Sequence, residues 1–464
     1  MSSLPPYLSI PERIWHYTFW VICGAVLFFL IFPLLVITPL SLNAVPFFTF
    51  TKEMLAFDPA GYSFVWYEEF FTSLNWQGAI RNSVIIAFFS TIIATFLGTL
   101  ASLGYKAHPR TEVVGVCDID EERLHKLGDI LNVNARYTDA DTMLSELKPD
   151  IVIIPTRTDF HFPLSKKVLE FGANIDVEKP MCHNLDEADI LLNKARETGY
   201  RISVHHQGRV GTAFRAVQKA INAGKIGKLR YIFASGKGYY GGYGLLNIGV
   251  HSLSYLIGHA GKCTSLHASV LTDGRPIAPD DIATLSMGTL AGEHITATLE
   301  FESGITGNLL HQRFVKVDNH GCYLELFGSE GKILWNPGKA WIINDIYDHP
   351  DDLKSQWEQL PPEIHEDFDP SSNADPSEFW YVDEYVKALD TNTQPTTNGN
   401  LAVHITEIMM GIFESGAYRK RVNLPQQKRD HPLERWAKET NTTIPKTTLN
   451  YTDWLEAEDK RLGR

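Results

Sequence analysis

Two positions in the sequence carry side chains suited to polarise an oxygen or move a proton. The first is Lys179, in Glu178-Lys179-Pro180, which directly follows a short strand predicted at Asn174 to Val177. A lysine at the carboxyl end of a strand is a fixed cation that can polarise a carbonyl or stabilise an alkoxide. In open α/β sheets the ligand crevice lies at those strand ends. The alternative is a surface Glu-Lys pair before a turn proline.

The second position is His251, on a helix predicted after the glycine- and tyrosine-rich run 238–244. The apolar residues of this helix recur at helical spacing, at Leu246, Val250, Leu253 and Ile257. Asn247, His251 and Ser254 fall together on another face, because they are four and three residues apart. A histidine held one turn from a polar group suits a general base for a sugar hydroxyl. The alternative is a histidine that only packs in the core.

The elements around these residues predict a parallel sheet followed by an antiparallel one. Strand Ile151 to Ile154, a helix from about Pro163 to Phe171 and strand Asn174 to Val177 form one β-α-β unit, and the alternation continues between 185 and 205. From Ser265 to Trp335 the pattern changes to short alternating runs with glycine turns. The predicted fold class is therefore α/β, with a Rossmann-like parallel sheet, plus an α+β domain whose sheet is mostly antiparallel.

An earlier predicted strand, Thr111 to Cys117, ends at Asp118. An acidic residue there can hydrogen-bond both hydroxyls of an adenosine ribose. It would repel a 2′-phosphate, and no arginine follows at once, which favours NAD over NADP. The alternative is that Asp118 only caps a helix predicted from Glu121 to Leu131.

The order strand, polar loop, histidine, helix, glycine, strand, Glu-Lys-Pro, and then a histidine on a later helix, resembles the Gfo/Idh/MocA family of oxidoreductases. The residues that carry the resemblance are Thr156, His161, Gly172, Glu178-Lys179-Pro180 and His251. It runs from about Gly104 to Glu439. It implies an NAD-binding domain at 104–208 and a substrate and oligomerisation domain at 209–430, and leaves 431–464 as a peripheral tail.

The resemblance also implies an activity, hydride transfer between NAD and a carbon of a sugar, cyclitol or related polyol. The implied catalytic residues are Lys179 and His251. The implied cofactor-binding residues are Asp118, Gly98, Thr156, His161 and Glu178. The implied substrate-binding residues are Asn247, Tyr240 and Arg209. The family usually has aspartate where Asn247 stands, and because an amide cannot take a proton, His251 would carry the proton transfer alone.

The chain departs from the family at the start of the dinucleotide-binding fold. That fold opens with a strand and a G-x-G-x-x-G turn, whose backbone N–H groups approach the pyrophosphate. By the family's spacing the third glycine falls on Gly98, but the first two fall on Ile93 and Thr95. Side chains there obstruct the close approach. We therefore predict that the first strand is lost, and a cofactor-free remnant is the main alternative to an active enzyme.

The first hundred residues belong to a different compositional class. No Asp, Glu, Lys or Arg occurs between Arg13 and Lys52, or between Arg81 and Lys106. Because roughly 20 apolar residues span a bilayer, we predict transmembrane helices at about 14–42 and 82–105 in a membrane segment, 1–103. The flanking basic residues place both ends in the cytoplasm. The prediction is an enzyme tethered to the inner membrane, with its carboxyl-terminal domain in the cytoplasm.

Residues 5–101 resemble the amino-terminal end of a polyamine-type ABC transporter permease, for example in Ser41-Leu-Asn and Arg81-Asn-Ser. The later spans of that family and its ATPase-docking loop have no counterpart in the chain. Two helices cannot enclose a substrate pathway unaided. A permease component is therefore the weaker alternative, and we interpret the chain as a permease fragment joined to an oxidoreductase.

Composition limits the partners. The net charge is -13 and no basic stripe with interleaved aromatics occurs, which argues against nucleic acid. The 5 cysteines have no metal-site spacing, and the adjacent His205 and His206 have no third ligand near them, so no metal is predicted. The predicted partners are a sugar or polyol, the lipid bilayer, and further copies of the chain through the carboxyl-terminal sheet.

Overall fold

The computed structural model describes residues 40–44, 50–64, 101–313, 323–344, 356–447 and 449–464. It divides into two units, Met1–Ile92 and Ile93–Arg464. In the first unit, Thr51 caps a one-turn helix, α1 (Lys52–Leu55). Within the described ranges no helix is long and apolar enough to cross a bilayer. The predicted membrane helices, and the stretch that resembles a permease, lie almost wholly outside those ranges.

The structure corrects the predicted end of the second membrane helix. Residues 101–105 belong to a helix, residues 101–107 (α2), that packs within the second unit. Tyr105 is 4% exposed, and its hydroxyl donates to the Asp176 carboxylate over 3.0 Å. A membrane helix could therefore reach no further than about residue 100.

The first part of the second unit is α/β, as predicted. Its elements after α2 are β1 (Val116–Cys117), α3 (Glu121–Leu131), β2 (Arg136–Tyr137), α4 (Ala140–Leu147), β3 (Ile151–Ile154), α5 (Thr158–Phe171), β4 (Asn174–Val177), α6 (Leu185–Thr198) and β5 (Ile202–Val204). β1 pairs with β2, and β3, β4 and β5 form a separate sheet; all of these pairs are parallel. Among the described residues no strand pairs with β1 on one side and β3 on the other to join these two sheets. In a doubly wound sheet the first strand of the fold lies at that position, so the break falls where the strand that we predict to be lost would lie.

Helix α5 begins five residues before the predicted start at Pro163. Proline favours the first turn of a helix, but here it lies inside the helix. The preceding turn is held in place because Thr158 and His161 are buried. His161 is therefore a helix residue and not part of the polar loop after β3.

The second part of the unit is built on one large sheet. Its helices are α7 (Gln207–Val210), α8 (Thr212–Asn222), α9 (Gly241–Gly244), α10 (Val250–Ala260), α11 (Pro376–Asp390) and α12 (Gly399–Tyr418), and a π turn (Leu245–Gly249) joins α9 to α10. Its strands are β6 (Tyr231–Ser235), β7 (Cys263–Thr272), β8 (Arg275–Pro276), β9 (Ala283–Leu285), β10 (Gly288–Leu290), β11 (His294–Phe301), β12 (Thr306–Gln312), β13 (Tyr323–Phe327), β14 (Lys332–Asn336), β15 (Lys339–Ile343), β16 (Glu358–Leu360) and β17 (Val422–Asn423).

The strand order in this sheet is β16-β15-β14-β13-β6-β12-β11-β7-β17, with β8 beside β7, while β9 and β10 form a separate hairpin. Every pair is antiparallel except β6 with β12, which confirms the predicted mostly antiparallel sheet. Alternate residues are buried, as along β11, because one face packs against helices.

The last part of the chain does not form a peripheral tail. Residues 431–464 contain α13 (Pro432–Glu439) and α14 (Tyr451–Arg461). Leu433 is 0% and Trp454 is 7% exposed, and both belong to the main core. Arg461 on α14 pairs with Asp281, which precedes β9. The many charged residues of this stretch suggested an exposed tail, but each of the two helices has a buried side.

Candidate active site

Lys179 and Asn247 form the centre of the candidate site. Lys179 follows β4 directly, and its Nζ donates to two oxygens of Asn247, the backbone carbonyl at 3.0 Å and Oδ1 at 3.1 Å. Burial lowers the pKa of Lys179, and the neighbouring Glu178 carboxylate opposes that effect. Burial raises the pKa of Glu178 itself. The predicted lysine therefore lies at a strand end and faces the predicted polar residue of the long helix.

This long helix runs without a break from α9 through the π turn to α10. The backbone N–H groups of Gly241 and Gly242 donate to the carbonyls of Glu293 and Gly292, which fixes its first turn. Asn247 lies in the middle of the π turn, and π turns in α-helices are frequent at functional sites. Asn247 and His251 lie on the same long helix, as the sequence predicted, but the π turn between them changes the regular α-helical spacing on which the prediction of a common face depended.

Two histidines lie near Lys179, of which His206 is buried and His251 is half-buried. Burial and the Lys179 charge lower the pKa of His251 well below 6.5, and burial lowers the pKa of His206 to about 3. The two rings meet edge to face, with centroids 5.9 Å apart. Neither Nδ1 has a hydrogen-bond partner among the described residues. Both imidazoles are therefore neutral at pH 7, and each presents an unpaired nitrogen.

His206 also belongs to the candidate site, although the sequence suggested it only as a possible metal ligand. It lies two residues after β5, so it shares the carboxyl edge of the sheet with Lys179. Its position directly after a predicted strand is the feature of the sequence that could have identified it as a site residue. Across the described ranges no cluster of three His, Cys, Asp or Glu side chains could hold a metal ion.

The residues predicted to bind the cofactor fall into two groups. Asp118 is half-buried at the carboxyl end of β1, and its Oδ1 accepts from the Asp120 N–H at 2.9 Å and from Arg123 at 3.0 Å. Thr156 is exposed after β3. These two side chains, with Glu178 after β4, each follow a parallel strand at its carboxyl end, and a dinucleotide lies along those ends in such folds. Gly98 lies outside the described residues.

His161 has a different environment from the one predicted. It is 1% exposed, with Nδ1 2.7 Å from the carbonyl oxygen of Pro180 and Nε2 2.9 Å from that of Thr156. Both ring nitrogens thus face backbone oxygens. The ring links the loop after β3 to the residue that follows Lys179, and it does not face a cofactor site.

Two predicted substrate-binding residues make contacts within the protein. Tyr240 is 1% exposed, its ring packs on Trp454 with centroids 4.9 Å apart, and its hydroxyl lies 3.3 Å from Glu458. The Arg209 guanidinium donates to the Ser254 carbonyl, and burial lowers its pKa to about 10. Their contacts are with the protein core.

Other tyrosines of the same run lie beside the site instead. Tyr243 is four residues before Asn247 on the long helix, and its ring stacks on Tyr451 of α14 with centroids 4.0 Å apart. Tyr239 packs edge to face on both, at 5.7 and 5.5 Å. The three rings form one aromatic group at the start of the long helix. Tyr451 is more than 200 residues from Tyr243, so no local pattern could have identified it.

Comparisons with known proteins agree with this geometry. Residues 95–206 match the family model "Oxidoreductase family, NAD-binding Rossmann fold" of Gfo/Idh/MocA, and residues 214–334 match the model of the Gfo/Idh/MocA C-terminal domain. The D-apiose dehydrogenase of Paraburkholderia graminis is 26% identical over 263 residues, which cover 52% of this chain and 70% of that protein. The scyllo-inositol 2-dehydrogenase (NAD(+)) of Bacillus subtilis is 26% identical over 239 residues, 49% of this chain and 66% of that one.

Among solved structures, levoglucosan dehydrogenase in complex with NADH and levoglucosan superposes with a TM-score of 0.59 at 17% identity, covering 71% of this chain and 97% of that one. The likeness in structure supports the fold. The two family models span both halves of the α/β unit, including Lys179 and His251. Residues 95–334 thus belong to the Gfo/Idh/MocA family of oxidoreductases, with its NAD-binding Rossmann fold followed by its carboxyl-terminal domain.

Proposed function

We propose that this protein is an NAD-dependent oxidoreductase that acts on a CH–OH group of a sugar, cyclitol or related polyol. The observation that carries the proposal is the contact between Lys179 and both oxygens of Asn247, one helical turn from His251. A cation beside a neutral base suits the removal of a proton from a hydroxyl. The relatives named for D-apiose and scyllo-inositol suggest the substrate class.

Each side chain has a defined task in this proposal. The Lys179 ammonium holds the substrate oxygen and stabilises the negative charge that develops on it. His251, which is neutral because burial lowers its pKa, accepts the hydroxyl proton at a ring nitrogen. Asn247 aligns Lys179 and takes no proton. The stacked Tyr243 and Tyr451 offer a flat surface for a sugar ring.

The described residues fit NAD at its adenosine ribose. The Asp118 carboxylate ends β1, where it can accept hydrogen bonds from two ribose hydroxyls. Arg123, five residues after Asp118, pairs with Asp118 and Asp120, at 3.0 and 3.7 Å, so its charge is already engaged. Bound NAD⁺ would supply the hydride acceptor. At the pyrophosphate, Ile93 and Thr95 stand where the family has glycines.

The test is a titration of the full-length, detergent-purified chain with NADH, followed by fluorescence. Binding in the micromolar range that Asp118→Ala abolishes would support the proposal. Asp139→Ala is the matched control, because Asp139 is also an acidic residue after a strand but only caps α4. Absence of binding at millimolar NADH would reject hydride transfer and favour the alternative, a family fold without its cofactor. D-apiose, scyllo-inositol and levoglucosan would follow as trial substrates.

Attachment to a membrane is a separate proposal that rests on the sequence. The charge-free stretches 14–51 and 82–100 support it, and the packing of residues 101–105 moves the end of the second stretch. The full chain is expected to stay with the membrane fraction after an alkaline carbonate wash. Release of the chain into the soluble fraction by the carbonate wash would contradict the proposal.

We further propose that copies of the chain associate through the open face of the large sheet. Ile232 and Ala234 of β6 point to the covered face, so Tyr231 and Phe233 point the other way. Both are half-buried and pack on aromatic side chains of β13, Tyr231 on Phe327 and Phe233 on Tyr323. Sedimentation in detergent is expected to give an oligomer that Phe233→Glu dissociates, and an unchanged mass would contradict the proposal.

A further inference from the structure

His311, on β12, is a buried histidine that the proposed chemistry does not use. It is 0% exposed, and neither of its ring nitrogens has a hydrogen-bond partner in the described part of the chain. Burial lowers its pKa to about 3, so the ring is neutral. A buried polar group without a partner is costly, and it calls for a reason.

Three glycines make room for this ring. A Cβ at Gly236 would lie 2.0 Å from Cε1, one at Gly244 would lie 3.1 Å from Nδ1, and one at Gly249 would lie 3.0 Å from Nε2. A side chain at any of them would push the ring or the helix aside. Gly244 directly precedes the π turn and Gly249 ends it. The imidazole therefore lies against both ends of the turn that contains Asn247.

The π turn determines where Asn247 points. Such a turn adds one residue to an α-helix and frees backbone carbonyls from the usual ladder. The Asn247 carbonyl accepts from Lys179 Nζ at 3.0 Å, and its Oδ1 accepts at 3.1 Å. If the turn relaxed to regular α-helix, the extra residue would be taken up by the helix and Asn247 would rotate relative to α10. Its oxygens would then leave Lys179.

We propose that His311 is a positioning residue, whose ring, packed between Gly244 and Gly249, holds the π turn and so directs both oxygens of Asn247 at Lys179. That the His311 ring holds the π turn is inferred from the contacts with Gly244 and Gly249 alone. Its catalytic meaning rests on the proposed function, in which Lys179 holds the substrate oxygen.

The titratable groups near Lys179 come from several elements. They are Glu178 beside it after β4, His161 of α5, His206 after β5 and His251 of α10. His311 is not one of these groups, so its substitution removes none of the charges that act on Lys179. Gly249→Ala, which keeps His311, provides a second way to displace the π turn.

The experiment measures the titration of Lys179 directly, by competitive acetylation of the full-length chain at a series of pH values and peptide mass spectrometry. His311→Leu removes the ring. Gly249→Ala places a methyl 3.0 Å from Nε2 and 2.9 Å from Leu245 Cδ1, and so displaces the turn without removing buried volume. Because the Asn247 oxygens stabilise the ammonium form, their loss should lower the labelling midpoint by about one pH unit in both variants.

Leu309→Ala is the matched control. Leu309 is two residues before His311, on the same face of β12, and is 1% exposed. Its truncation weakens the same core but leaves the His311 ring in place. An unchanged midpoint in His311→Leu and Gly249→Ala, or an equal shift in Leu309→Ala, would overturn the inference. If His311→Leu does not fold, Gly249→Ala decides.

An NADH titration of the same preparations separates this inference from the proposed function. A shifted midpoint without NADH binding would support the positioning role and reject the dehydrogenase. NADH binding with an unchanged midpoint would reject the positioning role and leave the dehydrogenase in place.

Discussion

At the scale of single residues, the candidate site depends on burial, which shifts the pKa values of Lys179 and His251. Burial lowers both pKa values, the histidine's further because the lysine charge adds to it. Lowering the pKa of His251 favours its neutral form, whereas the pKa of Lys179 is lowered from an ordinary value far above 7 and the Glu178 carboxylate opposes that change. The proposed chemistry needs these two forms, a neutral imidazole beside an ammonium group.

The first prediction concerns the shape of the pH profile. Activity requires neutral His251 and charged Lys179. The acid limb of kcat/KM should therefore lie well below pH 6.5, and the alkaline limb below 10.5, the ordinary values of the two groups. The measurement is kcat/KM from pH 5 to 10 on the first substrate found. An acid limb at or above pH 6.5 would exclude His251 as the base.

The second prediction concerns the role of His251 itself. His251→Gln keeps a similar shape but cannot take a proton, so kcat should fall by about 100- to 10,000-fold. NADH binding should remain as in the wild type, because His251 belongs to the substrate side. His259→Gln is the control, since His259 stacks on Phe214 two turns further along α10. Equal losses in both variants would point to a structural effect.

At the scale of elements, a buried charged group joins the parallel sheet to α11. His205, after β5, lies 3.0 Å from Glu378 of α11 and 3.4 Å from Asp176 of β4. Tyr381 and Tyr105 donate to Asp176 at 2.6 and 3.0 Å. Burial opposes a charge on His205, but the attraction of Glu378 and Asp176 outweighs it and raises its pKa well above 6.5.

This arrangement predicts a stability that depends on pH. Because the pKa of His205 is raised in the folded state, its contribution is fully present below about pH 6.5, the unfolded value, and is lost as the pH rises through the folded value. The urea midpoint should therefore fall from pH 6 to pH 9. His205→Gln should cost about 3 kcal/mol at pH 6, because it leaves two buried carboxylates without their cation.

The control for this prediction is His108→Gln. His108 is also buried beside a carboxylate of α11, Asp383 at 3.4 Å, but burial lowers its pKa. The His108→Gln variant should therefore show the same fall in urea midpoint between pH 6 and pH 9 as the wild type. If His205→Gln retained the full dependence on pH, another group would be responsible.

At the scale of the whole molecule, the end of the chain returns to the substrate side. The ring of Tyr240 packs on Trp454 of α14, and the Tyr240 N–H donates to the Tyr451 hydroxyl at 2.8 Å. Arg461 pairs with Asp281, and Arg313 with Asp459. The final helix therefore holds the glycine-rich run that leads into the long helix of the site.

Trp454→Ala is expected to release this run. Loss of a buried tryptophan costs about 3–5 kcal/mol, and α14 has little else buried to hold it. Hydrogen–deuterium exchange in residues 237–247 should rise in the variant. Trp436→Ala is the control, because Trp436 lies on α13 and packs near Tyr418. Unchanged exchange in 237–247 would show that the run keeps its conformation without α14.

The sequence by itself determined the α/β order, the mostly antiparallel second sheet, and the positions of Lys179, Asn247 and His251. These follow from local patterns: a polar residue after a buried strand, and two polar residues one turn apart on a helix. The replacement of the first two family glycines by Ile93 and Thr95 was equally visible, because it is a matter of residue type and spacing. The loss of the first strand stays a prediction.

Only the tertiary structure decided which of these residues meet and what surrounds them. His206 approaches His251, Tyr451 stacks on Tyr243, and His311 packs behind Asn247 because distant segments cover one another. Contacts of this kind also bury Tyr240 and His161. The same burial lowers the pKa of His251. Local patterns fix the direction of a side chain within its own element, whereas its neighbours across the core depend on how all the elements pack.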